Sequence, residues 1–181
     1  MKQLLYIVLL AVVAIPAVVS CGSDDNWEDY KDWREANNTW YEQQVVRTNP
    51  DGSPYFTAVS PAWLPNNGVL IHYFNDRRTT EGKLSPYLTS SVTVKYKGQL
   101  YDGTGFDSTA VSGADTVRTF PLSGVVKGWQ VALMEMRVGD TAEVVIPFPM
   151  GYGETGSNAI LPYSALRFGI KLVDIPAYEI R

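Results

Sequence analysis

The sequence predicts an α+β fold, an antiparallel sheet covered by one short helix, with a further helix ahead of it. Three observations lead there. From Ser91 onward Val92, Val94 and Tyr96 alternate with Thr93, Lys95 and Lys97, the period-two pattern of a strand with one apolar face. Leu166, Phe168, Ile170 and Leu172 repeat it against Arg167, Gly169 and Lys171. Between these strands lies a single helical stretch, about Val126 to Arg137, with Trp129, Leu133 and Met136 at i, i+4 and i+7 on one face. Strands with one covering helix bury their apolar face as an α+β layer.

The chain opens differently. Met1-Lys2 supplies a positive start, Leu4 to Val19 is almost wholly apolar, and Ser20-Cys21 follows. That order of charged head, apolar run and small residues is a secretory signal, and the run is shorter than the ~20 residues a spanning helix needs. Residues 1–20 are therefore expected to be removed. Val18-Val19-Ser20-Cys21 resembles the lipobox of bacterial lipoproteins, which makes Cys21 the expected lipidation site and the membrane an expected partner. Cys21 is also the only cysteine, so an exported chain has no internal disulfide to form with it. Lipid on Cys21 places the protein in the cell envelope, anchored at the outer membrane with its body at the periplasmic face or the cell surface. The acidic pair in Gly22-Ser23-Asp24-Asp25 resembles a surface-export signal, and reads equally as a solvated tether.

Residues 26 to 47 read as a helix. Asn26 is a suitable cap and Glu28 and Asp29 suit the first turn. Trp27, Tyr30, Trp33, Trp40 and Tyr41 carry its apolar surface, and Asn37-Asn38-Thr39 is a weak spot expected to bend or break it. The aromatic stripe packs on the domain behind it or else meets a second copy, making a homodimer through this helix. The turn residues Asn49-Pro50-Asp51-Gly52-Ser53-Pro54 mark a boundary, so residues 21–54 form a lipidated tether and helix, and residues 55–181 the main domain, with its core at about 69–175. Tyr55 to Pro65 reads as irregular, Val69 to Phe74 as a strand, and Arg77 to Pro86 as a polar loop. Asp102-Gly103 is a turn signal. Ser123 is the expected cap of the short helix, Gly139 its left-handed terminus, Ala142, Val144 and Ile146 the buried side of another strand, and 147 to 163 a long loop.

The charge balance excludes one class of partner. The 15 basic and 19 acidic residues give a net charge of −4, and without residues 1–20, which hold Lys2, 14 basic residues remain against 19 acidic ones. Nucleic acid binding needs a basic patch, so no nucleic acid partner is expected. The sole histidine, His72, lacks a cysteine partner for a thiol mechanism and a second histidine for a metal site, and reads as a sheet residue. Gly103-Thr104-Gly105 and Gly151-Tyr152-Gly153 lack the lysine of a phosphate loop.

The main domain resembles the FKBP-type peptidyl-prolyl cis-trans isomerases. The resemblance is carried by Val92-Thr93-Val94-Lys95-Tyr96-Lys97-Gly98-Gln99-Leu100, Asp102-Gly103 and Phe106-Asp107-Ser108, by Phe120-Pro121-Leu122 with Val125-Val126-Lys127-Gly128-Trp129, by Met136-Arg137-Val138-Gly139-Asp140 and Tyr152-Gly153, and by Ile160 to Phe168. These pieces run in one order from about 69 to 175. The resemblance implies a five- to six-stranded antiparallel sheet wrapped round a short helix, and isomerisation of X-Pro bonds in unfolded or exported polypeptides. By motif position it implies Tyr96, Asp107 and Tyr152 as catalytic groups, and Phe106, Phe120, Val125, Val126, Trp129, Ile160 and Phe168 as the substrate-binding walls. Asp107 is expected to be partly buried and paired. The reaction makes and breaks no bond to carbon, so neither a metal nor another cofactor is expected. The chain departs from the family pattern at Arg118, where many members have an aromatic wall and where an arginine would open or polarise one side. It departs again at the shortened Ser123-Gly124 and at Leu161 in place of a proline. The competing reading is a chaperone or binding module of the same fold with little turnover.

Overall fold

The computed structural model describes residues 27–62, 65, 67–111 and 114–177. Asn26, Cys21 and the signal-like residues 1–20 lie outside them. Helix α1 (Lys31–Val45) starts later than expected, after turns at residues 27–30, and no side chain caps it. It runs straight through Asn37-Asn38-Thr39. The weak helix propensity there is overridden by a tertiary partner: Asn37 is 1% exposed, its Nδ2 donates to the Trp33 carbonyl at 2.8 Å and its Oδ1 accepts the Ala165 N–H at 2.8 Å.

The strands are β1 (Thr57–Val59), β2 (Val69–Tyr73), β3 (Ser91–Leu100), β4 (Gly105–Ser108), β5 (Ala110–Val111), β6 (Ala114–Asp115), β7 (Arg118–Pro121), β8 (Thr141–Ile146) and β9 (Leu166–Ala177). Seven of them form one antiparallel sheet in the order β1-β2-β8-β9-β3-β4, with β7 also on β3; β5 and β6 make a separate hairpin. The central strand β3 pairs with β9 along its length, while β7 and β4 divide its other edge between them. The sheet thus exceeds the expected five or six strands. The addition is at the edge, where β1 falls in a segment expected to be irregular; three residues are too few to display an alternation.

Helix α2 (Lys127–Glu135) lies on one face of the sheet. Val126, not Ser123, occupies its N-cap, and Ser123 sits in a 3-10 turn over Leu122–Gly124. Trp129, Val131, Ala132 and Leu133 join Val92, Val94, Val144, Ile146, Leu166, Phe168, Ile170 and Leu172 in the main core. The helix approaches so closely that a Cβ on Gly128 would lie 2.4 Å from Ile146 Cγ2, so only glycine fits there. Helix α2 stops at Glu135, short of the expected Arg137, so Gly139 has the expected left-handed φ of 98° but serves the turn into β8, not the helix end.

The opposite face is covered too. Trp40 and Tyr41 of α1, with Tyr55, pack on Phe56, Leu70 and Val145. This explains why β8 buries both of its sides, although its sequence reads as alternating. Glu143 is 4% exposed, ion-paired with Arg167 Nε at 2.6 Å and accepting from the Tyr55 hydroxyl at 3.2 Å. Trp33, Trp40 and Tyr41 of the aromatic stripe thus pack within the chain, whereas Trp27, ahead of the helix, is 43% exposed; the solvent side of α1 carries Asp32, Glu35, Asn38 and Glu42. His72 is a sheet residue, as expected. Its ring stacks on Tyr55 at 3.8 Å and its Nδ1–H donates to the Tyr55 carbonyl at 2.6 Å. The two expected loops hold 3-10 turns at Arg77–Thr80 and Phe148–Met150.

One fully buried carboxylate ties the first loop to the sheet. Asp140 accepts from Thr80 Oγ1 (2.6 Å), Asn75 Nδ2 (3.1 Å) and the Arg137 N–H (2.9 Å), with Arg77 Nε at 3.4 Å. Burial opposes its ionisation, but the donors and the Arg77 charge outweigh burial and hold its carboxyl below the ordinary range. A carboxyl depressed on folding contributes stability that is present above the unfolded value of about 3.9 and lost as pH falls through the folded one. Asp140→Asn is therefore expected to cost about 2–4 kcal/mol at neutral pH. In urea unfolding the gap to wild type should narrow as pH drops below about 4; a gap independent of pH would contradict this account.

Candidate active site

Strand β3 turns Tyr96 toward α2, because Val92, Val94 and Tyr96 share its apolar side. From α2 rises Trp129, 5% exposed at the end of the core. Rings from three elements surround it nearly edge-on: Tyr96 of β3 at 5.0 Å and 88°, Phe120 of β7 at 6.1 Å and 87°, and Phe168 of β9 at 5.2 Å and 83°. This is the favoured arrangement of aromatic quadrupoles. The Trp129 indole N–H is buried and has no hydrogen-bond partner among the described residues. Phe106 of β4 stands against Phe168 at 5.5 Å and 89°. Both phenyls press onto β3 at Gly98, where a Cβ would lie within 2.7–2.8 Å of their ring atoms.

Above these rings is a cavity of about 260 Å³ lined by Tyr96, Phe106, Asp107, Phe120, Gly124, Val125, Val126, Trp129, Tyr152 and Phe168. The structure thus brings nine of the ten expected pocket residues to one place. The exception is Ile160. Its side chain is 3% exposed and belongs to the core beneath the loop, where Ile160 bridges Ser157. Gly124 is a lining residue that the sequence did not single out; a residue without a side chain leaves no chemical signal to find.

The polar groups sit at the rim. The Tyr96 hydroxyl donates to Asp107 Oδ2 at 2.5 Å, and Asp107 Oδ1 accepts from the Ser108 N–H at 2.8 Å. Arg118 Nη1 donates to the Tyr96 hydroxyl at 3.0 Å and to Asp107 Oδ1 at 3.2 Å. Asp107 is paired as expected but is less buried, its side chain 44% exposed, because β4 lies at the sheet's edge. Arg118 is not a lining residue; instead of polarising a wall it turns to the Tyr96–Asp107 pair. Burial first, then the bond to Asp107 and its charge, push the Tyr96 hydroxyl up to about 12, with Arg118 opposing. Tyr152 is raised by burial and then by Asp107. Both hydroxyls therefore remain protonated donors at neutral pH. Among the described residues the Tyr152 hydroxyl and the Val126 N–H have no hydrogen-bond partner, so the cavity carries two donors free to meet a carbonyl. Among the described residues no group of three metal-ligating side chains is present.

The exposed Arg118–Asp107 pair is worth little to stability, at most about 1 kcal/mol. Arg118→Ala should leave thermal unfolding almost unchanged and raise the Tyr96 pKa further, since the cation lowers it. A fall in that pKa, followed by ultraviolet titration, would contradict the assigned geometry.

Comparison with known proteins agrees with this geometry. The sequence pattern of the family described as FKBP-type peptidyl-prolyl cis-trans isomerase matches residues 82–173. The peptidyl-prolyl cis-trans isomerase Mip of Coxiella burnetii is 42% identical over 92 residues, 50% of this chain and 39% of that protein. The FKBP-type 22 kDa peptidyl-prolyl cis-trans isomerase of Escherichia coli is 44% identical over 91 residues, 50% of this chain and 43% of that protein. The chain thus matches less than half the length of these curated relatives. The crystal structure of FkpA from Escherichia coli superposes with a TM-score of 0.65 at 26% identity, covering 84% of this chain and 63% of that one. A family match over half of the chain, on a seven-stranded sheet wrapped against a short helix, means that this protein belongs to the FKBP-type peptidyl-prolyl cis-trans isomerases.

Proposed function

We propose that the protein is an active peptidyl-prolyl cis-trans isomerase that assists folding of proline-containing exported polypeptides. The observation that carries this reading is the aromatic cavity with a Trp129 floor, lined also by Tyr152 and Val126, whose hydroxyl and N–H have no hydrogen-bond partner among the described residues. Amide resonance holds the peptide bond planar behind a barrier of ~18–20 kcal/mol. The isomers of an X-Pro bond differ by only about 0.5–1 kcal/mol, so a catalyst need only lower the barrier. The twisted amide has lost resonance and with it charge separation. A dry aromatic surface disfavours the planar, more polar form relative to the twisted one.

In this reading the proline ring lies on Trp129 between Tyr96, Phe106 and Phe168. The Tyr152 hydroxyl donates to one substrate carbonyl and the Val126 N–H to a neighbouring one. Asp107, oriented by Tyr96 and Arg118, faces the twisting bond and acts on it electrostatically. No covalent intermediate is formed. Phe120 and Val125 close the sides. We place the catalytic domain at residues 55–181, with residues 21–54 as tether and helix.

On a proline-containing peptide, Asp107→Ala is expected to lower kcat/KM about tenfold or more, and Tyr152→Phe about fivefold, the equivalent of one hydrogen bond worth about 1 kcal/mol. A wild-type rate equal to the uncatalysed one would leave a binding module of the same fold.

We further propose that residues 1–20 are a removed signal and that Cys21 is lipidated, anchoring the domain in the cell envelope. No helix among the described residues is long and apolar enough to cross a membrane, whereas acyl chains bind the bilayer at about 0.8 kcal/mol per methylene. Cys21→Ser should move the protein from the membrane to the soluble fraction; continued sedimentation with membranes would exclude lipid as the anchor.

A further inference from the structure

Three consecutive buried residues, Tyr163, Ser164 and Ala165, join the loop that carries Tyr152 to strand β9, which carries Phe168. All three are held by helix α1. Asn37 Oδ1 accepts the Ala165 N–H at 2.8 Å. Trp33 Nε1 donates to Ser164 Oγ at 3.2 Å, and that hydroxyl donates on to the Leu161 carbonyl at 2.6 Å. Arg34 is buried with its guanidinium 3.2 Å from the Trp27 ring centre and 5.6 Å from that of Tyr163, while Trp27 meets Tyr163 edge-on at 5.5 Å. Residues 33, 34 and 37 share one face of a helix.

The held segment is also where the backbone is forced. Tyr163 is the only non-glycine among the described residues with φ in the left-handed region, at 61°, and it is 1% exposed. Such a conformation persists only where the surroundings over-determine it. From Tyr163 the connection to the cavity is short. Its N–H donates to the Gly153 carbonyl at 2.9 Å, its ring meets Phe148 at 5.3 Å, and the Gly153 N–H donates to the Phe148 carbonyl at 2.9 Å. Gly153 adjoins Tyr152, whose side chain lines the cavity.

We propose that α1 is a positioning element for the active site, with Asn37 as its principal positioning residue: it fixes the 163–165 turn and through it the Tyr152 loop. This rests on the reading of Tyr152 as a substrate donor. Attachment of the helix alone does not require these bonds. Trp40 and Tyr41 supply apolar burial elsewhere along α1, whereas buried polar bonds select one arrangement. Asn37 touches no part of the cavity, so it acts only through the turn.

The test uses the full chain well below its melting transition, with isomerisation of a proline peptide and amide hydrogen exchange read in parallel. Asn37→Leu removes the acceptor, and with it the Nδ2 donor, while keeping a side chain of similar size. It is expected to speed exchange of the Tyr163 and Ala165 amides, leave those of β3 unchanged, and lower kcat/KM about tenfold, the scale of a small misplacement of a reacting group. Asn37→Asp keeps the acceptor, but its second oxygen can donate to the Trp33 carbonyl only when protonated, so it should recover the loss best at low pH, relative to wild type at the same pH. Should Asn37→Leu fail to fold, Trp33→Phe combined with Ser164→Ala removes the neighbouring bond and should show the same two effects more weakly. Faster exchange at 163 and 165 with kcat/KM within about twofold of wild type would overturn the positioning role. Unchanged exchange would overturn the clamp itself. A wild-type protein without turnover would count against the isomerase reading instead. Peptide affinity would then take the place of kcat/KM, and an affinity unaltered by Asn37→Leu would overturn the positioning role as well.

Discussion

Trp129 stands where the hydrophobic core ends and the cavity begins, and much of the molecule follows from that double duty. Its lower side is held by the packing of α2 on the sheet, and its ring is fixed by Tyr96, Phe120 and Phe168 at nearly right angles. A protein interior has the density of an organic crystal, so a floor made from core residues does not yield when a ligand presses on it. Gly128 allows the helix to sit low enough for this, and Gly98 lets the Phe106 and Phe168 rings approach β3 closely. The binding surface and the stability of the domain therefore share one set of contacts. A substitution at Trp129 would reach both at once, which is why smaller changes at the rim are better probes of chemistry.

The polar groups are distributed on the opposite plan. Tyr96, Asp107 and Arg118 lie at the mouth, where water still reaches Asp107 and Arg118, and they form one connected set. Their bonds to one another orient the carboxylate more than they stabilise the fold, since exposed ion pairs contribute little. Tyr152 and the Val126 N–H keep their hydrogen-bonding capacity open. A surface that is apolar beneath and donor-rich at the edge suits a ligand that is itself an apolar ring flanked by two carbonyls, as a prolyl peptide is.

The legible parts of the sequence were those whose signal is local. The alternation in β3 and β9 and the i, i+4, i+7 spacing in α2 each state a buried face directly, and the motifs around Phe106-Asp107 and Val125 to Trp129 lead to residues that do share a cavity. What escaped depends on partners distant in sequence. The burial of Glu143 and Val145 is invisible without knowing that α1 covers that side. Asn37 reads as a helix breaker until Ala165, 128 positions away, supplies its partner. Ile160 sits inside a recognisable motif, yet it is buried in the core cluster and does not line the cavity. Arg118 reads as a substituted wall, while its guanidinium goes to the rim because a carboxylate and a hydroxyl wait there.

The central claim is that a prolyl bond rotates on the Trp129 floor. Exchange NMR of a proline-containing peptide with a small fraction of the protein tests it most directly, because one sample reports the rate of interconversion and the site of contact. The account predicts cis–trans exchange well faster than the tens of seconds or more of the free peptide, together with shifts of the Trp129 indole and Tyr152 ring signals. Interconversion at the uncatalysed rate, with both rings unperturbed at saturating peptide, would contradict it.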